Sequence, residues 1–561
     1  FGGGDLTSLV EMPTELTPEE ATDKFESTMA AKLPLRRLEI LGVPVAAGIN
    51  GAASASALAH RGLRTALVDA RDFAGYTSQS SSNLIWGGIK YLETFEFALV
   101  RRLCSSRNVL MRAYPTAVRE IRFLAAISRT APRSRLAVWL GAWLYWFLGS
   151  CKTRIPRLLS RAALKRAEPV VNADVTQGAV EYSDALLVDG DARFVCSLVR
   201  RAADAGCVTV NYLNVVNAER SGEYWRVDLL DSVDGGKMSA RARVIINAAG
   251  PFADPLAGLT NVATGLRHVL SKGIHLITDR LSAEPRVLAF YADDGRPFFV
   301  IPLGNRASIG TTDTPVETPT VAVDEADRDF VLSNINARLD LKSPLSRHDV
   351  IDERCGVRPL AVDPREKGDG GGDFLSLSRK HVIETHAGRA CVSIYGGKLT
   401  DCLDVGAEVR DAVLSLGVVD PGGTRDWYGE SGTRIRNAFL AKVRLLRGAS
   451  IVFGEAQSER LWRCYDSRAL KLVEKFEDEP DTRDVILAAD GITRGELELV
   501  RDTEMVVTLE DFLRRRTLLT QTRGKDELAG PAMMQVCEIL FGSKASVRYQ
   551  EYFGTNSSEE A

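Results

Sequence analysis

The run Ala46-Ala47-Gly48-Ile49-Asn50-Gly51, followed eighteen residues after Gly51 by Asp69, has a spacing that can hold two phosphates and a ribose. Glycines at 48 and 51 remove side chains that would keep a pyrophosphate from a helix N-terminus, where unpaired N–H groups and the helix dipole favour negative charge. A carboxylate at 69 can take both ribose hydroxyls. The pattern departs from G-x-G-x-x-G at Ala46, which holds the first glycine's place, and Gly42 and Pro44 interrupt the strand before it. An ordinary strand–turn–helix without ligand is the alternative reading. Next comes a hydroxyl-rich loop, Thr77-Ser78-Gln79-Ser80-Ser81-Ser82-Asn83, which runs into Leu84-Ile85-Trp86-Gly87-Gly88-Ile89-Lys90-Tyr91-Leu92. Its hydroxyls can donate to phosphate oxygens, and adjacent glycines let backbone pack on a flat ring. A flexible serine linker is the plainer alternative.

These residues need elements to hold them. Leu38 to Gly62 reads as an apolar strand, a glycine-bearing turn and the Ala-rich helix AASASALAHRG, and Thr65-Ala66-Leu67-Val68 as a second strand ending at Asp69. That order is a βαβ unit opening a parallel sheet. Further strands are predicted at Val208-Thr209-Val210, Trp225 to Leu230 and Val244 to Asn247, with a basic helical region between the two groups. Residues 265–393 form a β-rich layer, with strands at Gly273 to Ile277, Phe298 to Pro302 and Ala307 to Gly310. Beyond Asp426 the chain turns helical and charged, in segments such as ERLWRCYDSRALKLVEKF and TLEDFLRRRTLL. The division expected is a tail over 1–35, two interleaved domains over 36–425, a helical domain over 426–550 and a second tail over 551–561.

At 561 residues the chain exceeds what one hydrophobic core fills, so two or three domains are expected. Its 45% hydrophobic and 26% charged content is that of a globular protein. Nine scattered cysteines without a CxxC pair argue against a disulfide framework and a zinc site, and point to a reduced compartment. Without HxxxH, CxxC or EF-hand patterns, no metal is expected. The chain opens on Phe1, which leaves an upstream targeting peptide open.

Residues 99–166 carry fifteen Lys or Arg against one acidic residue, Glu120. Within them Leu136 to Cys151 is uncharged but shorter than the ~20 residues that span a bilayer. Trp139, Trp143 and Trp146 fall on one helix face there, flanked by Arg133, Arg135, Lys152, Arg154 and Arg157. An aromatic face bordered by cations is how a helix lies in a headgroup layer; a buried core helix packed by Trp is the alternative. The charge is not matched by a recognition helix or stacking platform for nucleic acid.

From Thr77 to Val100 the sequence resembles the TSxxSSxLIxGGxxYLExxEFxLV signature of FAD-dependent glycerol-3-phosphate dehydrogenases. Further blocks resemble that family in order: NAAGPFAD (Asn247 to Asp254), KGIHLI (Lys272 to Ile277), PFFVIPLGNRASIGTTDTP (Pro297 to Pro315), GVRPL (Gly356 to Leu360), LSRKHVI (Leu377 to Ile383), IYGGKLT (Ile394 to Thr400) and EMVVTLEDFLRRRTLL. The resemblance covers about residues 40 to 545 and implies an α/β FAD-binding domain, Rossmann-like and of glutathione-reductase type, an antiparallel-sheet substrate domain and a C-terminal α-helical domain. It implies oxidation of glycerol 3-phosphate to dihydroxyacetone phosphate with electrons passed to a quinone. A glycerol-3-phosphate oxidase and a non-catalytic relative with weakened FAD binding are the alternatives.

By the same resemblance His275 is the candidate general base, Arg358 and Arg379 hold the phosphate, and Lys398 lies beside substrate and flavin. Lys90, Tyr91 and Thr312 join the substrate set. Gly48, Asn50, Gly51, Asp69, Ser81, Ser82, Leu84, Gly87, Gly88, Ala249, Gly250, Gly397, Leu399 and Thr400 are the expected FAD contacts. Two departures stand out: Lys90 replaces the Arg of GGxRYL, giving a point charge for a rigid fork, and Trp86 replaces the His of LIHGG. A peripheral protein of the mitochondrial inner membrane is expected, with the bacterial cytoplasmic membrane as alternative, and a homodimer is possible.

Overall fold

The strand at the start of the βαβ unit, β1 (Glu39–Val45), leads through the glycine turn into α1 (Ile49–His60), and β2 (Ala66–Val68) returns parallel to it with Val68 beside Val45. A computed structural model describes this chain over residues 39–131, 133–363, 380–424, 426–446 and 454–554. Eight of the twelve residues of helix α1 are Ala, Ser or Gly, which favours helix at the Ala positions and lets neighbours approach closely. Toward β2, β1 pairs only through Val45; its continuous ladder is with one neighbour. A strand paired along one edge tolerates the missing N–H of Pro44.

The chain then passes through β3 (Leu84–Ile85), α2 (Phe97–Ala113), β4 (Val118–Ser128), α3 (Arg135–Leu148), β5 (Arg157–Ser160), β6 (Thr176–Leu187) and α4 (Asp191–Asp204). Next come β7 (Val208–Val210), the hairpin β8 (Leu213–Ser221) and β9 (Tyr224–Asp231), and β10 (Lys237–Asn247). The first sheet has the order β17-β18-β10-β1-β2-β7, where β17 is Val382–His386 and β18 Cys391–Tyr395. Its central strands are parallel, with α1 covered by α4 and by α5 (Cys402–Ser415). Such a sheet leaves its ligand crevice at the carboxyl ends of the strands.

The second sheet is broader than the layer expected from 265–393. Strands β11 (Arg267–Asp279), β12 (Arg286–Tyr291), β13 (Pro297–Leu303), β14 (Arg306–Gly310), β15 (Thr314–Val316) and β16 (Asp352–Val362) are joined by β3, β4, β5 and β6. The order is β15-β11-β14-β13-β12-β4-β6-β3, with β16 on β11 and β5 on β6. Thus the basic region expected to be helical contributes strands, while β17 and β18 belong to the first sheet. The charges of β4 and β6 are neutralised between strands: Arg122 reaches Glu181 at 3.1 Å, and Arg286 of β12 meets the same carboxylate at 2.8 Å.

Helices including Thr433–Leu446, Glu455–Tyr465, Arg468–Asp478, Arg494–Thr503 and Pro531–Phe541 pack around Trp462, Phe476, Phe512 and Leu513. This C-terminal unit is tied to the first sheet by buried ion pairs. Asp72 takes Arg515 and Arg516, each at 2.6 Å, and Glu504 takes Arg193 at 2.5 Å and Arg200 at 2.8 Å. Among the described residues no helix is long and apolar enough to cross a membrane.

Candidate active site

A cavity of about 290 Å³ lies at the carboxyl ends of the parallel strands. Its phosphate end is the turn before α1. Ala46 has φ +81°, the left-handed conformation that explains why a glycine is usual there, and its N–H donates to Val68 O at 2.8 Å. A Cβ on Gly51 would stand 1.9 Å from Ala46 O, so this glycine is required by close backbone approach. Gly48 caps α1 without a side-chain acceptor, and the Ile49 N–H donates to Ser78 Oγ at 3.0 Å. Asp69 is 2% exposed and accepts N–H bonds from Ala47 (2.6 Å) and Arg71 (2.9 Å). Burial pushes its carboxyl up to about 7, although both backbone donors act the other way. It therefore fixes the turn and still borders the cavity.

The other end is formed where β18 runs into Gly396-Gly397-Lys398. Both glycines have positive φ, +64° and +94°, and a Cβ on Gly397 would come within 3.1 Å of the Asn50 amide. Asn50 Nδ2 donates to Gly396 O at 3.3 Å, while its buried Oδ1 has no protein donor. Lys398 Nζ donates to Tyr91 Oη at 2.7 Å and lies 4.1 Å from that ring's centre. Arg358 enters from β16, its guanidinium donating to Thr312 O (3.0 Å), Asp313 Oδ1 (3.2 Å) and Thr311 Oγ1 (2.7 Å). It occupies the space a Cβ on Gly273 would take.

Gly48, Asn50, Asp69, Ser81, Ser82, Leu84, Tyr91, Ala249, Gly250, Arg358, Gly397, Lys398, Leu399 and Thr400 all line this cavity. Several expected contacts are elsewhere. A Cβ on Gly87 would fall 2.2 Å from the Tyr145 hydroxyl, and one on Gly88 2.7 Å from the Tyr91 ring; the glycine pair makes room for these tyrosines and does not line the cavity. Lys90 borders a separate apolar cavity with Ile89 and Phe299. Thr312 is buried with its hydroxyl accepting from Ile274 N at 3.1 Å, and its carbonyl accepts from Arg358. His275 sits behind the wall on β11, 2% exposed, with neither ring nitrogen bonded to protein. Burial, then the charges of Arg354 and Arg358, hold it well below the usual imidazole range, so it is neutral. Arg379 lies outside the described residues.

Other residues at the site were not singled out from the sequence. Tyr76, just before the serine loop, lines the cavity and packs at a tilt against Phe252 with ring centres 4.7 Å apart. Arg354, fully buried, donates to Gln79 O (2.7 Å) and Asp191 Oδ2 (3.0 Å), and Asp191 in turn accepts from Ser81 N at 2.7 Å. This chain stiffens the serine loop from the second sheet; in the sequence Arg354 stands in a run of three charges, Asp352-Glu353-Arg354, that gives no sign of its burial.

The tryptophan face is also rearranged. Trp139, Trp143 and Trp146 are half-buried and pack edge to face, with ring centres 6.0 and 5.4 Å apart. The face of α3 turned outward carries Leu136, Leu140, Leu144 and Phe147 at 54, 57, 40 and 69% exposure. Tyr145 on the inner side donates to Asp184 at 2.6 Å, which anchors the helix and so decides which face points out.

A βαβ turn cleared by glycine, an acid at the end of its second strand, and a second sheet bringing cations over the same crevice define a dinucleotide-dependent oxidoreductase. The orphaned Asn50 Oδ1, the open start of α1 and the glycine pair at 396–397 fit a flavin dinucleotide. The model of the FAD dependent oxidoreductase family matches residues 47–398. The D-erythritol 1-phosphate dehydrogenase of Brucella abortus is 34% identical, over 84% of this chain and 93% of that one. The glycerol-3-phosphate dehydrogenase of Pseudomonas tolaasii is 30% identical, over 85% and 91%. The FAD complex of the Bacillus halodurans glycerol-3-phosphate dehydrogenase superposes with a TM-score of 0.70 at 22% identity, covering 94% of this chain and 96% of that one. The chain belongs to the FAD dependent oxidoreductase family, and it is a flavin-dependent oxidoreductase with FAD as cofactor.

Proposed function

We propose that the protein oxidises glycerol 3-phosphate to dihydroxyacetone phosphate and passes the electrons to a membrane quinone. The observation that carries this reading is the meeting of Arg358 and Lys398 in the wall of the cavity that begins at the α1 N-terminus. Bound FAD supplies the acceptor for the hydride leaving C2. A phosphate dianion needs cations: Arg358, held by three oxygen acceptors, offers a fixed guanidinium. Lys398, steered by the Tyr91 hydroxyl, stabilises negative charge developing at the C2 oxygen. His275, 2% exposed behind the cavity wall, is left out of the proton transfer. Lys90, in its separate cavity, is left out of the phosphate set.

The quinone part is supported by an apolar cavity of about 250 Å³ between α3 and the second sheet, which shares Trp86 with the first cavity. The outward Leu136, Leu140, Leu144 and Phe147, with Arg133 just ahead of the same helix, suit an anionic headgroup layer. We read the nucleotide domain as glutathione-reductase type and the C-terminal helices as its cap. A homodimer on the mitochondrial inner or bacterial cytoplasmic membrane completes the reading, tested by fractionation and by mass in detergent.

A second substrate reading rests on the relative named D-erythritol 1-phosphate dehydrogenase, whose 34% identity exceeds the 30% of the Pseudomonas tolaasii protein. The test is anaerobic bleaching of the flavin band in lipid-reconstituted protein by each polyol phosphate, followed by quinone turnover. Faster bleaching by erythritol 1-phosphate transfers the assignment to the four-carbon substrate. Stoichiometric peroxide without quinone turnover makes the protein an oxidase, and a colourless preparation that takes up no FAD defeats the catalytic reading.

A further inference from the structure

The loop Gly396-Gly397-Lys398 is suspended between two buried histidines. At its start, Gly396 N–H donates to His268 Nε2 at 3.3 Å; that imidazole is 1% exposed, stacks against Tyr395 with ring centres 4.9 Å apart, and turns Nδ1 toward Asp254 Oδ1 at 3.8 Å. At its end, Lys398 N–H donates to Asp401 Oδ1 at 2.8 Å, and the other oxygen of Asp401 is 2.8 Å from Nδ1 of His381, also 1% exposed. A nitrogen that accepts from an amide carries a lone pair, and with Nδ1 as the remaining proton site His268 is the neutral tautomer. His381 faces the opposite environment. Around it α5 and its approach supply Asp401 and Glu408, with Glu408 Oε2 3.1 Å from Nε2 and Glu408 Oε1 accepting from Arg102 of α2 at 2.5 Å; the Arg102 guanidinium lies 3.0 Å from the same nitrogen. A carboxylate at each ring nitrogen accepts from a doubly protonated ring, and Glu408 bridges that ring to Arg102 through its two separate oxygens. Lys380 precedes His381 in the chain, and Glu384 on β17 bonds Gly265 N–H at 3.2 Å on the His268 side.

We propose that His268 and His381 are positioning residues in opposite charge states: neutral His268 fixes Gly396 by accepting its N–H, and protonated His381 holds Asp401, which fixes Lys398 by accepting its N–H. The pair sets the place of the Lys398 cation, resting on the reading above that this loop faces the flavin. Two consequences follow. Protonating His268 puts a second donor against Gly396 N–H and releases the start of the loop; deprotonating His381 weakens its grip on Asp401 and loosens the end. Both histidines are shifted in the required sense. Burial lowers His268, with Asp254 opposing; in His381 the bond and charge of Asp401, then Glu408, overcome burial and raise it. Loop order is then greatest between the two titrations, with the acid limb below the ordinary imidazole value and the basic limb above it.

The test is side-chain NMR of ¹⁵N-histidine-labelled holoprotein, in which six histidines give a tractable spectrum and His268→Gln and His381→Gln assign the two signals. The expected result at pH 6.5 is a neutral His268 with Nδ1 protonated and a doubly protonated His381. An Nε2-protonated His268, or a neutral His381, overturns the proposal. The second readout is FAD dissociation and flavin midpoint potential against pH. His268→Gln, whose side-chain carbonyl accepts but does not titrate, should lose the acid limb, and His381→Gln the basic limb. Asp401→Asn, the check if His381→Gln fails to fold, should move the basic limb to lower pH. Unchanged limbs in folded variants overturn the proposal. Histidine states as expected with a potential insensitive to all three variants would instead refute the placing of this loop against the flavin.

Discussion

Replacing Ala46 by Gly should stabilise the protein, although glycine normally weakens a folded chain. Ala46 has φ +81°. An L-residue held there costs about 1–2 kcal/mol, whereas glycine gives up roughly 0.5–1 kcal/mol of backbone entropy on folding. The difference favours Ala46→Gly by about 0.5–1 kcal/mol, or roughly 1–3 °C in Tm by the scaling of larger domains. The bond from residue 46 N–H to Val68 O and the approach of its carbonyl to Gly51 involve backbone only, so both survive. Thermal unfolding of apoprotein and of FAD-saturated protein, with retained flavin read by absorbance, measures the effect. An unstrained turn with negative φ predicts the opposite sign, because only the entropy loss would remain. A fall of about 2 °C in both forms would therefore refute the left-handed assignment and the account of the turn built on it.

Gly51→Ala should give colourless protein, since its Cβ would collide at 1.9 Å with a carbonyl that cannot rotate away; FAD titration of the purified variant checks this. Asp69 has a folded pKa raised from 3.8 to about 7, so its contribution to apoprotein stability is complete below about 4 and is lost as pH rises through 7. Denaturant titrations should show wild type losing stability relative to Asp69→Asn across that window. Arg358→Lys cannot reproduce donation to Thr312 O, Asp313 and Thr311, and should raise KM for the phosphorylated substrate by about 10–100-fold, with flavin content unchanged. Leu140→Glu should abolish sedimentation with anionic vesicles at little cost in stability, whereas Trp143→Ala, in the half-buried stack, should lower Tm. Equal vesicle binding by wild type and Leu140→Glu would rule out that face.

The phosphate turn, Asp69 and the loop at 396–400 were legible because each depends on local backbone: an open helix start, a strand end, a pair of glycines. What escaped depends on distant partners. Strands β4 and β6 carry Arg122, Glu181 and Asp184, charges that suggest a surface helix until Arg122 is matched to Glu181 across the sheet and Asp184 to Arg107 of α2. The glycines at 87 and 88 were expected against a ring system; that Gly87 also makes room for Tyr145 depends on α3, brought in from elsewhere in the chain. The tryptophan spacing marked one face of α3 correctly, yet periodicity does not say which face turns inward. That was decided by the bond between Tyr145 and Asp184, thirty-nine positions apart.

The double clasp of Arg515 and Arg516 on Asp72 makes the last hundred residues an obligate part of the nucleotide-binding half. Asp72 belongs to the segment just after β2, and Arg515 also donates to Gln79 Oε1 at 2.9 Å, at the edge of the serine loop. Cutting the chain ahead of residue 515 would strand a buried carboxylate in an apolar interior, a penalty of about 3–5 kcal/mol. A shortened protein would be expected to fail in its grip on adenosine before any loss of its own helices was felt.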